Sequence, residues 1–129
     1  MHIEHLAIWT NKLERLKDFY ETYFQAKVGN QYHNPTRQFE SYFLSFSTGA
    51  RLELMYKPGI LDTRIDSDRQ FNGYAHFSFA TGSEQGVDEL TNRLQRDGFQ
   101  VMAAPRLTGD GFYEAVVLDP DGNRVEITV

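Results

Sequence analysis

His5-Leu6-Ala7-Ile8-Trp9-Thr10 returns 71 positions later as His76-Phe77-Ser78-Phe79-Ala80-Thr81. Histidine meets histidine and threonine meets threonine, and both stretches alternate in the manner of a half-buried β-strand. A second correspondence, offset by 73, runs from Phe39–Leu54 to Phe112–Ile127. In it Gly49 meets Gly122, Arg51 meets Arg124 and Glu53 meets Glu126. A gap of two residues near the end of the intervening helix reconciles the offsets. The chain therefore reads as a duplicated module, and each copy keeps one histidine near its start and one glutamate near its end.

Each copy has the element order β-α-β-β-β. In the first, His5–Trp9 is a strand, and Asn11 is the expected helix cap, with Glu14 completing a capping box. Leu13, Leu16, Phe19 or Tyr20, and Tyr23 or Phe24 recur at helical spacing and form the buried stripe. In the second, Ser83 is the expected cap, Val87, Leu90 and Leu94 form the stripe, and Asp97-Gly98 is the stop. Further strands are expected near 26–29, 41–47 and 51–56, then near 100–103, 114–118 and 124–129. The last two of each copy are joined by turns at 47–50 and 119–123. Tyr32-His33-Asn34-Pro35 reads as a turn outside the repeat. The expected organisation is a single domain over 1–129: module one 1–57, a linker 58–73 that begins Pro58-Gly59, and module two 74–129.

Composition narrows the function. With 129 residues, 40% hydrophobic and 24% charged, the chain has the make-up of one soluble globular domain. A net charge of −5 argues against nucleic acid as a partner. The lack of cysteine excludes disulfides, thiolate nucleophiles and thiolate metal sites, leaving His, Asp and Glu for metal chemistry. No apolar run reaches the length of a membrane span and no signal-peptide pattern opens the chain, so a cytoplasmic protein without a membrane partner is expected.

Strand alternation assigns the faces. Arg51, Glu53 and Met55 lie opposite Leu52 and Leu54, and Arg124 and Glu126 lie opposite Val125 and Ile127. His5 lies opposite Leu6 and Ile8, and His76 opposite Ala75, Phe77 and Phe79. A single His or Glu on the non-core face of a sheet is ordinarily just solvated, and Arg51 and Arg124 can form plain surface ion pairs. Two features weigh the other way. The neighbours of the histidines on this face, Ile3, Ala7, Trp9, Tyr74, Ser78 and Ala80, make a poor solvated surface but a reasonable pocket lining. Both copies also kept the same His and Glu while most positions diverged. Two modules side by side would gather His5, Glu53, His76 and Glu126, a donor set suited to one divalent Zn, Ni, Co, Fe or Mn ion per site.

The duplicated βαβββ pattern with these four residues, Phe19-Tyr20 in the first helix and the ending Leu118-Asp119-Pro120-Asp121-Gly122-Asn123-Arg124-Val125-Glu126, resembles the vicinal oxygen chelate superfamily, also called the glyoxalase/bleomycin resistance/dioxygenase superfamily. The resemblance covers nearly the whole chain. It implies an α+β fold in which the modules form an open, cup-shaped mixed β-sheet with helices on the outer face and the metal on the inner. The order His, Glu, His, Glu is that of glyoxalase I. By that resemblance the protein would be a metal-dependent lyase or isomerase acting on a small oxygenated substrate, free or thiol-conjugated, through a chelated enediolate. Glu126 would be the main base, and Glu53 a ligand that shares proton transfer. Members of this type commonly form homodimers in which each site is built from both chains.

The chain departs from the bacterial glyoxalase I pattern at Trp9, where an Arg would clamp the glutathione carboxylate, and at Lys57, where an Asn would stand. Arg37, Arg106 and Lys57 are candidates for replacement charge, and Tyr32, His33 and Tyr113 for pocket groups, although each is more often a surface or packing residue. Two other readings stay open: another metalloenzyme of the same fold, an epimerase or a dioxygenase, the latter disfavoured by the fourth protein ligand; and a small-molecule-binding or resistance protein without catalysis.

Overall fold

In a computed structural model, which describes residues 1–62, 69 and 72–129, the chain forms two compact units, Met1–Arg64 and Ile65–Val129. Residues 63–68, 70 and 71 of the expected linker lie outside the described residues.

Unit one contains β1 (His5–Trp9), α1 (Leu13–Phe24), β2 (Lys27–Val28), β3 (Tyr32–Asn34), β4 (Phe39–Ser45) and β5 (Arg51–Tyr56). Its sheet runs β1-β5-β4-β2, with β3 also paired to β4. β1 and β5 are parallel, and β5 and β4 antiparallel. One sheet face packs on α1: Leu44, Leu52 and Leu54 are buried together with Leu13, Leu16, Phe19, Tyr20 and Phe24. This is the stripe that the helical spacing predicts. Burying side chains of this size is worth about 1.5–3 kcal/mol each, so the stripe holds a helix whose own start is poorly secured.

That start corrects the expected cap. The N-cap is Lys12, which makes no side-chain cap hydrogen bond. Thr10, buried at the end of β1, accepts the Lys12 N–H through Oγ1 at 2.9 Å. Asn11 instead donates to the Ile60 carbonyl and to Asp62. Glu14 is drawn to Lys17 and to the Tyr42 hydroxyl, so no capping box closes. A second correction concerns Tyr32-His33-Asn34. These residues form β3, in register with Ser41, Glu40 and Phe39, because β4 begins two residues earlier than expected and offers them an edge. The turn lies just beyond, where Asn34 Oδ1 accepts the Arg37 N–H.

Unit two repeats the plan with β6 (Phe77–Ala80), α2 (Glu84–Arg96), β7 (Val101–Leu107), β8 (Tyr113–Leu118) and β9 (Arg124–Thr128), in the order β6-β9-β8-β7. Again the first and last strands are parallel. Ser83 caps α2 as expected, its Oγ accepting the Gly86 N–H at 3.0 Å, and Gly98 at φ +90° follows the helix stop. Val87 and Leu94 are buried; Leu90 is only half-buried, and Thr91 takes the adjacent core position. Ala75 is exposed rather than facing the core, because β6 begins only at Phe77. Both units are thus an open mixed sheet covered by one helix, an α+β architecture of duplicated modules. Among the described residues no helix is long and apolar enough to cross a membrane.

Candidate functional site

The strand register carries the repeat into three dimensions. In unit one Glu53 sits beside Ala7, two residues after His5. In unit two Glu126 sits beside Ser78, two residues after His76. Register partners share a face and so do residues two apart, so each His and its Glu are diagonal neighbours on the face opposite the helix. His5 Nε2 lies 3.9 Å from Glu53 Oε2, and His76 Nε2 lies 3.2 Å from Glu126 Oε2. Both carboxylate side chains are 15% exposed, whereas the imidazoles keep 40% and 45%. The histidine of each pair is therefore reachable from the face while the glutamate is tucked between strands. His76 itself lies just ahead of β6 rather than within it.

Each pair offers one imidazole nitrogen and carboxylate oxygens, a donor combination for borderline divalent ions. Among the described residues, neither unit gathers three or more metal-ligating side chains. A His and a Glu alone do not fill the coordination sphere of such an ion, and each unit carries one such pair.

The surroundings of the two pairs differ. In unit one, His5 Nδ1 meets Glu4 Oε2 at 2.5 Å, which turns Nε2 toward Glu53. The hydrogen bond from His5, and then Arg51, hold the Glu4 carboxyl below the usual glutamate value. Arg51 thus pairs with Glu4, and its guanidinium covers the Phe43 ring at 4.2 Å. The His5 ring meets Phe43 edge-on. At the far end of β1, Lys57 Nζ lies 5.0 Å from the Trp9 ring.

In unit two, Glu114 is a site-face residue that the repeat could not reveal, since its counterpart is Ser41. Alternation along β8 places it on the face of Glu126, because Glu114 pairs with Thr128 and Val116 with Glu126. Burial first, and the Glu126 charge second, push the Glu114 carboxyl above the ordinary value, opposed by Arg106, whose Nη2 is 3.5 Å away. Two other candidates point elsewhere. The Tyr113 hydroxyl donates to Asp88 of α2, on the helix side. His33 stands opposite Glu40 and alternates away from Tyr32.

A family model described as the glyoxalase/bleomycin resistance protein/dioxygenase superfamily matches residues 2–127. A lactoylglutathione lyase of Arabidopsis thaliana is 28% identical over 127 residues, 95% of this chain but 42% of that protein. The chain thus spans about two fifths of the length of the curated relatives it matches. Among solved structures, a possible glyoxalase from Bacillus cereus is 26% identical with a TM-score of 0.73, covering all of this chain and 99% of the other. A glyoxylase/bleomycin resistance protein/dioxygenase domain from Frankia sp. has a TM-score of 0.83 at 17% identity, covering all of this chain and 97% of the other, a likeness of fold.

Proposed function

The chain belongs to the glyoxalase/bleomycin resistance protein/dioxygenase superfamily, and from that premise we propose that it is a metal-dependent lyase or isomerase of the glyoxalase I type. The observation that carries the reading is the matched register of two His–Glu pairs, one on the open face of each sheet. His5, Glu53, His76 and Glu126 would hold one divalent ion. When bound, the ion supplies Lewis-acid stabilisation of the charge that develops on substrate oxygen as a carbon-bound proton is lost. Glu126 takes that proton from the carbon beside a carbonyl and returns it to the neighbouring carbon. Its carboxylate is tucked between strands, within 3.2 Å of His76, where little water competes for the proton. Glu53 is the matching carboxylate of the other half-site and shares the transfer. His5 and His76 orient the set.

The substrate in this reading is a small oxygenated molecule such as the hemithioacetal of a thiol and a 2-oxoaldehyde, rearranged to a thioester. The fourfold donor set favours this chemistry over ring-cleaving dioxygenation, for which the superfamily uses two His and one Glu. Trp9 cannot offer the two-pronged grip on a carboxylate that an Arg supplies, so turnover of the glutathione adduct is expected to be weak. Metal analysis of natively purified protein tests the premise of the reaction. Ultraviolet detection of thioester formation from methylglyoxal with a panel of thiols then tests the reaction itself. Stoichiometric metal without thioester from any thiol would turn the reading toward an epimerase, and absence of metal toward a binding protein.

We place the complete site between two chains, in a twofold homodimer with His5 and Glu53 of one protomer facing His76 and Glu126 of the other. Mixing His5→Ala with His76→Ala chains checks this. A shared-site heterodimer has one site lacking both histidines and one intact, so metal binding returns in part. If subunits exchange without any recovery, the shared site is excluded.

A further inference from the structure

The open face of unit one carries more than a half-site. Four residues along β1 from His5, about 13 Å at the rise of a strand, Trp9 meets Phe39 edge-on with ring centroids 6.0 Å apart. Phe39 in turn contacts Tyr32 at 6.0 Å. β3 positions Tyr32 by pairing it with Ser41, whose other neighbour, Met55, is the register partner of Trp9. The three rings therefore share the face of Glu53. Trp9 is 44% exposed and Tyr32 54%, which is costly for side chains of this size unless something covers them. Lys57 sits over the indole at 5.0 Å, and among the described residues it pairs with no carboxylate. Unit two has Ala80 where Trp9 stands, so the feature belongs to one module and is no requirement of the fold.

We propose that Trp9, Phe39, Tyr32 and Lys57 form a specificity subsite for a planar aromatic group bearing a negative charge, at the end of the substrate remote from the His5–Glu53 pair. The proposal deepens the lyase reading by naming its substrate class, and rests on that reading only in calling the occupant a substrate. Exposed indole and phenol rings offer flat surfaces that favour another ring over an aliphatic chain. The Lys57 ammonium draws a carboxylate to the rim and repels a cation. A second protein chain is a poorer occupant. A stable interface takes on the order of 1,000 Å² or more, and it would bury the lysine at its aromatic centre, where charged residues are depleted.

The chain has a single tryptophan beside 7 tyrosines, so emission excited at the red edge of the indole band, beyond tyrosine absorption, reports on Trp9 alone. Metal-free protein is titrated with phenylacetate, cyclohexylacetate, acetate and phenethylamine. Phenylacetate should change the emission saturably, with a Kd on the order of millimolar, and bind at least about tenfold more tightly than acetate or phenethylamine. Cyclohexylacetate should fall between. Lys57→Ala should weaken phenylacetate about fivefold. In calorimetry Trp9→Ala should lose the binding heat and Trp9→Phe keep part of it, with unchanged circular dichroism in each. Equal response to phenylacetate and acetate, or equal binding of phenethylamine, would overturn the proposal. No metal is present in these titrations, so loss of the metal reading leaves their outcome untouched, and their failure leaves the metal reading standing.

Discussion

The two modules have the same strand order and the same diagonal placement of His against Glu, yet they secure their elements by different means. α2 is capped by Ser83, while α1 starts at Lys12 without a side-chain cap. The β8–β9 turn is organised by Asp119, which is buried and accepts the backbone N–H groups of Asp121 and Asn123 and the side-chain amide of Asn123. Module one has Phe46 at the matching position. The His of module one is oriented by Glu4, where module two has Ala75. Turn chemistry, caps and lining groups drifted because each has several adequate solutions. The His–Glu diagonal did not, and its persistence on an uncovered face is what a shared requirement of both halves would leave.

The largest effect expected from this comparison is symmetric. His76→Ala and His5→Ala should each abolish stoichiometric metal binding, measured as metal content after native purification. Circular dichroism should be unchanged, because neither ring belongs to the helix-packed core. Retention of full metal by either variant would mean that the halves are not equivalent ligands of one ion.

Asp119→Ala should follow, at about 2–4 kcal/mol of lost stability in denaturant titration, since three donors lose a buried carboxylate. A loss below about 1 kcal/mol would show that the turn is held by its backbone and by Gly122 at φ +86°, as the equally long turn of module one, with Phe46 in place of Asp119 and Gly49 at φ +87°, must be. Gly86→Ala comes next. A Cβ there would stand 2.9 Å from both Cβ and Oγ1 of Thr81, and Thr81 is fixed by its bonds to Ser83 and Thr128, so about 1–3 kcal/mol is expected. The matching change in module one, Arg15→Ala, lies on an exposed helix position and should cost within about 0.5 kcal/mol.

Glu4→Ala should weaken metal binding about tenfold, the lower end for loss of a carboxylate that orients a ligand histidine. Calorimetric titration with Zn²⁺ and with Ni²⁺ reads this directly. An unchanged affinity would show that Phe43 alone holds the His5 ring.

Much of this was legible in the sequence, and for a physical reason. A side-chain period of two fixes the face of every residue once a strand is identified, so Glu53 and Glu126 could be assigned to the open face from Leu52, Leu54, Val125 and Ile127 alone. Duplication then supplied a second reading of each element: β1 and β5 fall within their expected bounds. The misses are sites where neighbours in space decide. β3 exists because β4 starts early enough to pair with it. Glu114 has Ser41 rather than a carboxylate as its counterpart in the repeat, and only its alternation with Glu126 across β8 and β9 could have marked it. Asn11 has the right residue type for a cap, but Ile60 and Asp62, about 50 positions away in sequence, compete for its side chain.

The cap difference gives the smallest and most discriminating test. Ser83→Ala should cost about 1 kcal/mol, because Ser83 has extended backbone, φ −163° and ψ 153°, which aims Oγ at the Gly86 N–H. Installing the same residue on the other helix should not return the same amount. Lys12 has φ −134° and ψ 60°, a backbone that directs the side chain away from the first turn, and its own N–H is already committed to Thr10. Lys12→Ser should therefore stabilise by less than about 0.5 kcal/mol, read from the denaturation midpoint beside Ser83→Ala. A gain equal to the Ser83 loss would mean that the α1 start relaxes into a capped geometry at no cost. Thr10 would then be a dispensable substitute rather than the group that sets how β1 hands over to its helix.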